Sequence, residues 1–195
     1  LYHPYRITKT MKHTLLIVPG LGDSTTGHWQ DNWLQYFPNT KKVVQDNWNQ
    51  PQLQDWLKNL DTTIKSIETP IVIVAHSLAV SLVAHWSQQN DTEKIIGALL
   101  VAPADVESAE HTPEEIWNFA PIPLSKLNYP SIVITSSNDP YISVERAEFL
   151  SQKWGSHFYN VGPKGHLNFA SQLGLWEEGQ EILERLLQSI NENKN

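Results

Sequence analysis

The segment Ile71-Val72-Ile73-Val74-Ala75-His76-Ser77-Leu78-Ala79 constrains the fold more than any other stretch, because four β-branched apolar residues run straight into a serine flanked by small residues. An unbroken apolar run of that kind reads as a strand buried on both faces, as in the interior of a parallel sheet. The apolar pattern then continues from Ser77 to Gln89 with helical spacing, so the strand turns sharply into a helix with Ser77 at the apex. Such a turn holds the hydroxyl clear of the backbone, and it needs small residues two before and two after the serine, where neighbouring backbone presses close. Ala75 and Ala79 meet that size requirement, although the usual pattern has glycine at both places. The plainer alternative is a serine that merely caps the following helix.

A serine hydroxyl becomes a nucleophile only when a base takes its proton, and the base needs an acid to fix its tautomer and stabilise its charged form. In folds built on such an elbow the chain order is serine, acid, histidine, each at the carboxyl end of a strand. The run Pro130 to Ser136 reads as a second buried strand, and the polar turn after it carries Asp139. A shorter strand, Ser156 to Val161, leads into Gly162-Pro163-Lys164-Gly165-His166, a tightly shaped loop ending in a histidine. Ser77, Asp139 and His166 therefore stand in the required order as nucleophile, acid and base. Taken alone, Asp139 before a proline is an ordinary turn residue. Asp105, Glu107 and Glu110, after the fourth strand, are competing acids. The other histidines lack such context: His76 packs beside the elbow, His85 falls on the next helix, and His13, His111 and His157 read as surface or strand residues. An oxyanion also needs donors. One is the backbone N–H of Leu78, after the nucleophile; the other comes from the Pro19 to Ser24 loop, assigned to Leu21 with Gly22 as fallback.

The combination of Pro-Gly-Leu-Gly-Asp-Ser, His28-Trp29-Gln30, Ala-His-Ser-Leu-Ala, Ser-Ser-Asn-Asp-Pro-Tyr and Gly-His-Leu-Asn resembles the small serine hydrolases of the retinoblastoma-binding protein nine and YdeN family. The resemblance runs from about Thr14 to Leu187. It implies an α/β-hydrolase fold without a separate cap domain and esterase or peptidase-like activity. It also implies Ser77, Asp139 and His166 as a triad, the same three that the strand-end order picks out.

Strand-like runs recur at Thr14 to Pro19, Lys41 to Asp46, Pro70 to Ala75, Ile95 to Ala102, Pro130 to Ser136 and Ser156 to Val161. Helical patterns separate them at Gly27 to Phe37, Gln52 to Ser66, Ser77 to Gln89, Val144 to Trp154 and Ala170 to Ile190. That alternation predicts an α/β fold: a six-stranded, mostly parallel sheet with helices on both faces. A second strand outside the first, with the third on its other side, would set the Pro19 to Ser24 loop beside Ser77 at a topological switch point. Residues 14–190 read as a single domain, 191–195 as a tail, and 1–13 as an N-terminal extension, whether a leader or an added segment. A net charge of −7 without a basic run argues against nucleic acid as a partner. No apolar stretch reaches membrane-spanning length and no signal peptide precedes the first strand, which predicts no membrane partner and a cytoplasmic protein. The absence of cysteine excludes thiolate catalysis and disulfides, and the histidine spacing fits no metal motif, so no cofactor or metal is expected.

Eight tryptophans need places. Trp56, Trp86, Trp154 and Trp176 fall in helical segments and read as core; Trp29 and Trp33 lie on one helix face after the oxyanion loop. His28 and Trp29 are candidates for the pocket wall. The longest connection, Pro103 to Asn128, is the candidate lid, with Trp117 and Phe119 as its apolar contacts. The function expected is hydrolysis of a small carboxylic ester, or a thioester or amide, through an acyl-serine. The rival readings are a hydrolase-like binding protein with a closed pocket, and an aminopeptidase or amidase, which should carry an acidic group for a substrate ammonium. A small-molecule ester or short peptide-like compound is the expected partner; the sequence names no protein partner.

Overall fold

The computed structural model describes residues 12–193, so residues 1–11 of the expected extension and 194–195 of the tail lie outside it. Six strands form one sheet: β1 (Thr14–Val18), β2 (Thr40–Lys42), β3 (Ile71–His76), β4 (Ile95–Val101), β5 (Ser131–Thr135) and β6 (His157–Asn160). Their order is β2-β1-β3-β4-β5-β6, and every pairing is parallel. The chain thus reverses its direction of growth between β1 and β3, which opens a crevice at their carboxyl ends.

Alternation along the strands divides the core. Leu16, Val18, Ile71, Ile73, Ala75, Ala98 and Leu100 face one side, where they meet α2 (Leu53–Ser66), α3 (Leu78–Gln89) and α4 (Val144–Trp154). Leu15, Ile17, Val72, Val74, Leu99 and Val101 face the other, against α1 (Trp29–Tyr36) and α5 (Glu177–Glu192). Both faces of β3 are sealed, which is why its sequence shows no polar alternation.

Three boundaries differ from the sequence expectation. The second strand spans only Thr40–Lys42; Val43 still donates to Ile17, but Val44 is exposed as the chain leaves the sheet edge. The last helix starts at Glu177 rather than Ala170. A 3-10 turn at Phe169–Ser171, followed by left-handed Gln172, Gly174 and Trp176, breaks the apolar pattern before it. In the Pro103 to Asn128 connection, Glu114–Phe119 forms a 3-10 helix. His13, read from sequence as a surface or strand residue, is buried. Among the described residues no helix is long and apolar enough to cross a membrane.

Candidate active site

Ser77 sits at φ 61° and ψ −121°, between the end of β3 and the start of α3. A side chain rarely adopts that region, and holding it there costs on the order of 1–3 kcal/mol, repaid by the surrounding bonds. The Ser77 N–H donates to Val101 at 2.9 Å, and its carbonyl accepts from Val80 at 3.0 Å. Gly20, in the loop after β1, lies against this turn so closely that a Cβ there would come within 2.8 Å of the His76 carbonyl and 3.2 Å of the Leu78 nitrogen. The small residues demanded by the elbow thus extend to the facing loop.

Three strand ends bring the polar groups together. His166 Nε2 lies 2.7 Å from Ser77 Oγ, and His166 Nδ1 lies 2.9 Å from each Asp139 oxygen. A carboxylate only accepts, so Nδ1 carries the proton and Nε2 is left to accept from the serine. All three residues are buried to 9% exposure or less. Asp105 and Glu107 are instead paired with Arg146, at 3.5 and 2.9 Å, and stand apart as acids.

The loops carrying the acid and the histidine are tied to one another and to the core. Asn138 Oδ1 accepts from the Ser136 hydroxyl and from the Gly165 N–H, and Ser136 Oγ accepts from the Lys164 N–H. His76 Nε2 donates to the His166 carbonyl at 2.9 Å, and Trp29 Nε1 donates to the Leu167 carbonyl at 2.7 Å. Trp29 therefore does not line the cleft. It is 1% exposed and packs between Trp33 and Trp176, with ring centroids 4.9 and 4.8 Å away. Gln30, fully buried, donates to the Val18 and Val74 carbonyls and so clamps the ends of β1 and β3 together.

Two backbone donors beside Ser77 are unengaged. The Leu21 and Leu78 N–H groups have no acceptor among the described residues. Gly22, the fallback, is excluded because its N–H donates to Trp48 at 2.9 Å. The cleft above Ser77, about 210 Å3, is lined by Leu21, Asp23 and His28 and by Pro113, Ile116 and Phe169. Tyr141 leans on the His166 ring at 4.3 Å, and Asn168 completes the rim.

His28 is where the sequence placed it, but Trp117 and Phe119 are not. A 3-10 helix stacks residues three apart, so Pro113 and Ile116 face the cleft while Phe119 continues inward against Trp56, 5.7 Å away. Phe119 is fully buried, and Trp117 points outward, 39% exposed, with its Nε1 donating to Thr112. Tyr141 and Asn168, each two residues beyond a triad position, could have been found by that proximity; Asp23, Pro113 and Ile116 lie in segments the sequence sets at the site, but nothing there singles them out.

Three imidazoles meet in sequence, His28 edge-to-face with His76 and His76 tilted against His166, the centroids of each pair 4.9 Å apart. Burial, reinforced by His166, holds His28 down to about 4 from its ordinary 6.5. Burial, then His166 and His28, holds His76 well below the same value. Both can take a proton freely once unfolded, so below the ordinary histidine range the unfolded chain binds more protons and stability falls with pH. For His28 the loss continues until the folded group titrates, near 4. From His28 alone, stability is expected to drop by about 2 kcal/mol between about pH 7 and pH 4.5. Urea unfolding at the two pH values checks this, and equal midpoints would contradict the buried neutral histidines.

Residues 15–185 match the family described as serine hydrolase. A hydrolase from Pectobacterium atrosepticum described as YdeN-like is 32% identical over 92% of each chain, with a TM-score of 0.82. The ydeN gene product of B. subtilis is 18% identical, with a TM-score of 0.73 over 91% of this chain and 100% of that one. Est1E from Butyrivibrio proteoclasticus is 12% identical, with a TM-score of 0.67 over 92% and 90%. The last two likenesses are of fold alone. No curated protein matches the chain.

Proposed function

This chain belongs to the serine hydrolase family, with the α/β-hydrolase fold, and from that premise we propose that it cleaves small carboxylic esters through an acyl-Ser77 intermediate. Ser77 Oγ attacks the carbonyl carbon while its proton passes to His166 Nε2, and Asp139 stabilises the resulting imidazolium. The oxyanion is held by the Leu21 and Leu78 N–H groups. As the tetrahedral intermediate collapses, the ester C–O bond breaks and His166 returns the proton to the departing alkoxide. Water, deprotonated by the same histidine, then attacks the acyl-serine and releases the acid.

The observation that supports this reading most is the 2.7 Å approach of His166 Nε2 to a strained, cleft-facing serine beside two unpaired amides. Esters are favoured over amides because an alkoxide leaves with less help from the general acid. An ammonium-binding aminopeptidase is disfavoured: Asp23 is already neutralised by Lys42 at 2.8 Å. Incubation with a fluorophosphonate followed by intact mass and peptide mapping tests the reading. One adduct on Ser77 is expected; no adduct, or one elsewhere, overturns it.

Because Ile116, not Trp117, walls the cleft, Ile116→Ala is expected to shift preference toward longer acyl groups, with the ratio of hexanoate to butyrate kcat/KM rising roughly tenfold. Trp117→Ala is expected to leave that ratio alone. A series of nitrophenyl esters measures both, and the reverse pattern would return the wall to Trp117.

A further inference from the structure

Two polar groups in the cleft have bonding capacity that the acyl-transfer steps leave unused. His28 caps α1, its Nδ1 accepting the Gln30 N–H at 3.0 Å. With Nδ1 engaged as an acceptor, the neutral ring carries its hydrogen on Nε2. That nitrogen has no protein partner among the described residues and is not sealed from solvent, and the ring lines the cleft with Gly20, Leu21 and Ser77. In the same cleft, Asp23 Oδ1 accepts from the Ser24 N–H at 2.6 Å and from Lys42 Nζ at 2.8 Å, while Oδ2 has no protein partner among the described residues. The cleft wall thus presents a neutral donor and a charge-compensated acceptor.

We infer, on the strength of the acyl-serine reading above, that the acyl subsite takes a short acid bearing a hydroxyl near its carbonyl, the hydroxyl accepting from His28 Nε2 and donating to Asp23 Oδ2. A hydroxyl is the group that satisfies both at once. A plain hydrocarbon chain strips water from both groups and replaces neither bond. An ammonium offers no lone pair to His28, and a carboxylate has no hydrogen to give Asp23 Oδ2. The hydrocarbon part of the acid lies on Pro113 and Ile116, and a space of about 210 Å3 keeps it short.

The test compares nitrophenyl butyrate with the 2-hydroxy, 3-hydroxy and 2-amino butyrates, each kcat/KM divided by the rate of hydroxide hydrolysis. One of the hydroxy esters is expected to exceed butyrate about tenfold, and the amino ester to fall below it. His28→Ser keeps a capping oxygen for α1 but removes the cleft donor, and should bring the hydroxy preference to about one. Asp23→Asn keeps the oxygen for the Ser24 N–H, tolerates the left-handed backbone at φ 67°, and turns the free acceptor into a donor, which leaves the hydroxyl's own hydrogen without a partner; it should reduce the preference. Fluorophosphonate labelling of Ser77 runs alongside. Labelled wild-type enzyme with no hydroxy preference, or with the amino ester favoured, overturns the subsite alone, as does a preference that survives in both variants. Wild-type enzyme that does not label overturns the acyl-serine reading as well.

Discussion

Ser77→Ala is expected to lower kcat for an activated ester on the order of a thousandfold or more while leaving the protein folded. The loss is large because no other group in the cleft can take the serine's place. Ser77 is the only serine or threonine lining the cleft among the described residues. What survives the substitution is the pair of oxyanion donors and the histidine, which could direct a water molecule slowly. Stability should change little, since the hydroxyl's protein partner is His166, and alanine inherits the same strained backbone. Steady-state rates on nitrophenyl butyrate, with circular dichroism and a thermal melt for the fold, measure both halves. Activity within tenfold of the wild type, from protein purified free of contaminating esterase, would remove Ser77 from the mechanism.

The elbow and the other two strand ends were legible in the sequence because each is local. A strand, a turn and a chemically distinctive residue lie within ten positions of one another at Ser77, at Asp139 and at His166, the first two strands buried and the third part-exposed. The parallel sheet is legible from the alternation of strand and helix, but the strand order enters only as a condition, under which the Pro19 to Ser24 loop falls beside Ser77; the observed order meets it. The cleft wall was not legible. Trp117 and Phe119 are the bulky residues of their segment, but a 3-10 rather than an α-helical repeat decides that Ile116 faces the site, and composition does not distinguish the two. By sequence Trp29, next to His28 after the oxyanion loop, reads as a pocket candidate. Its role is to hold the Leu167 carbonyl from behind, a contact 138 residues away in sequence. The last helix was overextended for a related reason: Leu173 and Trp176 sustain an apolar pattern across a break made by left-handed backbone, which hydrophobic periodicity does not register.

Asp139→Asn should cost more than the loss of one charge suggests, on the order of a thousandfold in kcat and no more than the loss of Ser77, because it reverses the direction of a hydrogen bond. Asp139 Oδ1 also accepts the Tyr141 N–H at 2.9 Å. An asparagine keeps its carbonyl oxygen on that amide, which turns its NH2 group toward His166 Nδ1. The imidazole must then accept at Nδ1 and carry its hydrogen on Nε2, facing Ser77 Oγ, where a donor cannot remove the serine proton. The shape of the site is retained and its polarity is inverted. Asp105→Asn provides the contrast, since that carboxylate pairs with Arg146 and should affect stability more than rate. Thermal melts and kcat on the same activated ester separate the two variants. If Asp139→Asn is nearly silent and Asp105→Asn is crippling, the acid has been assigned to the wrong strand end.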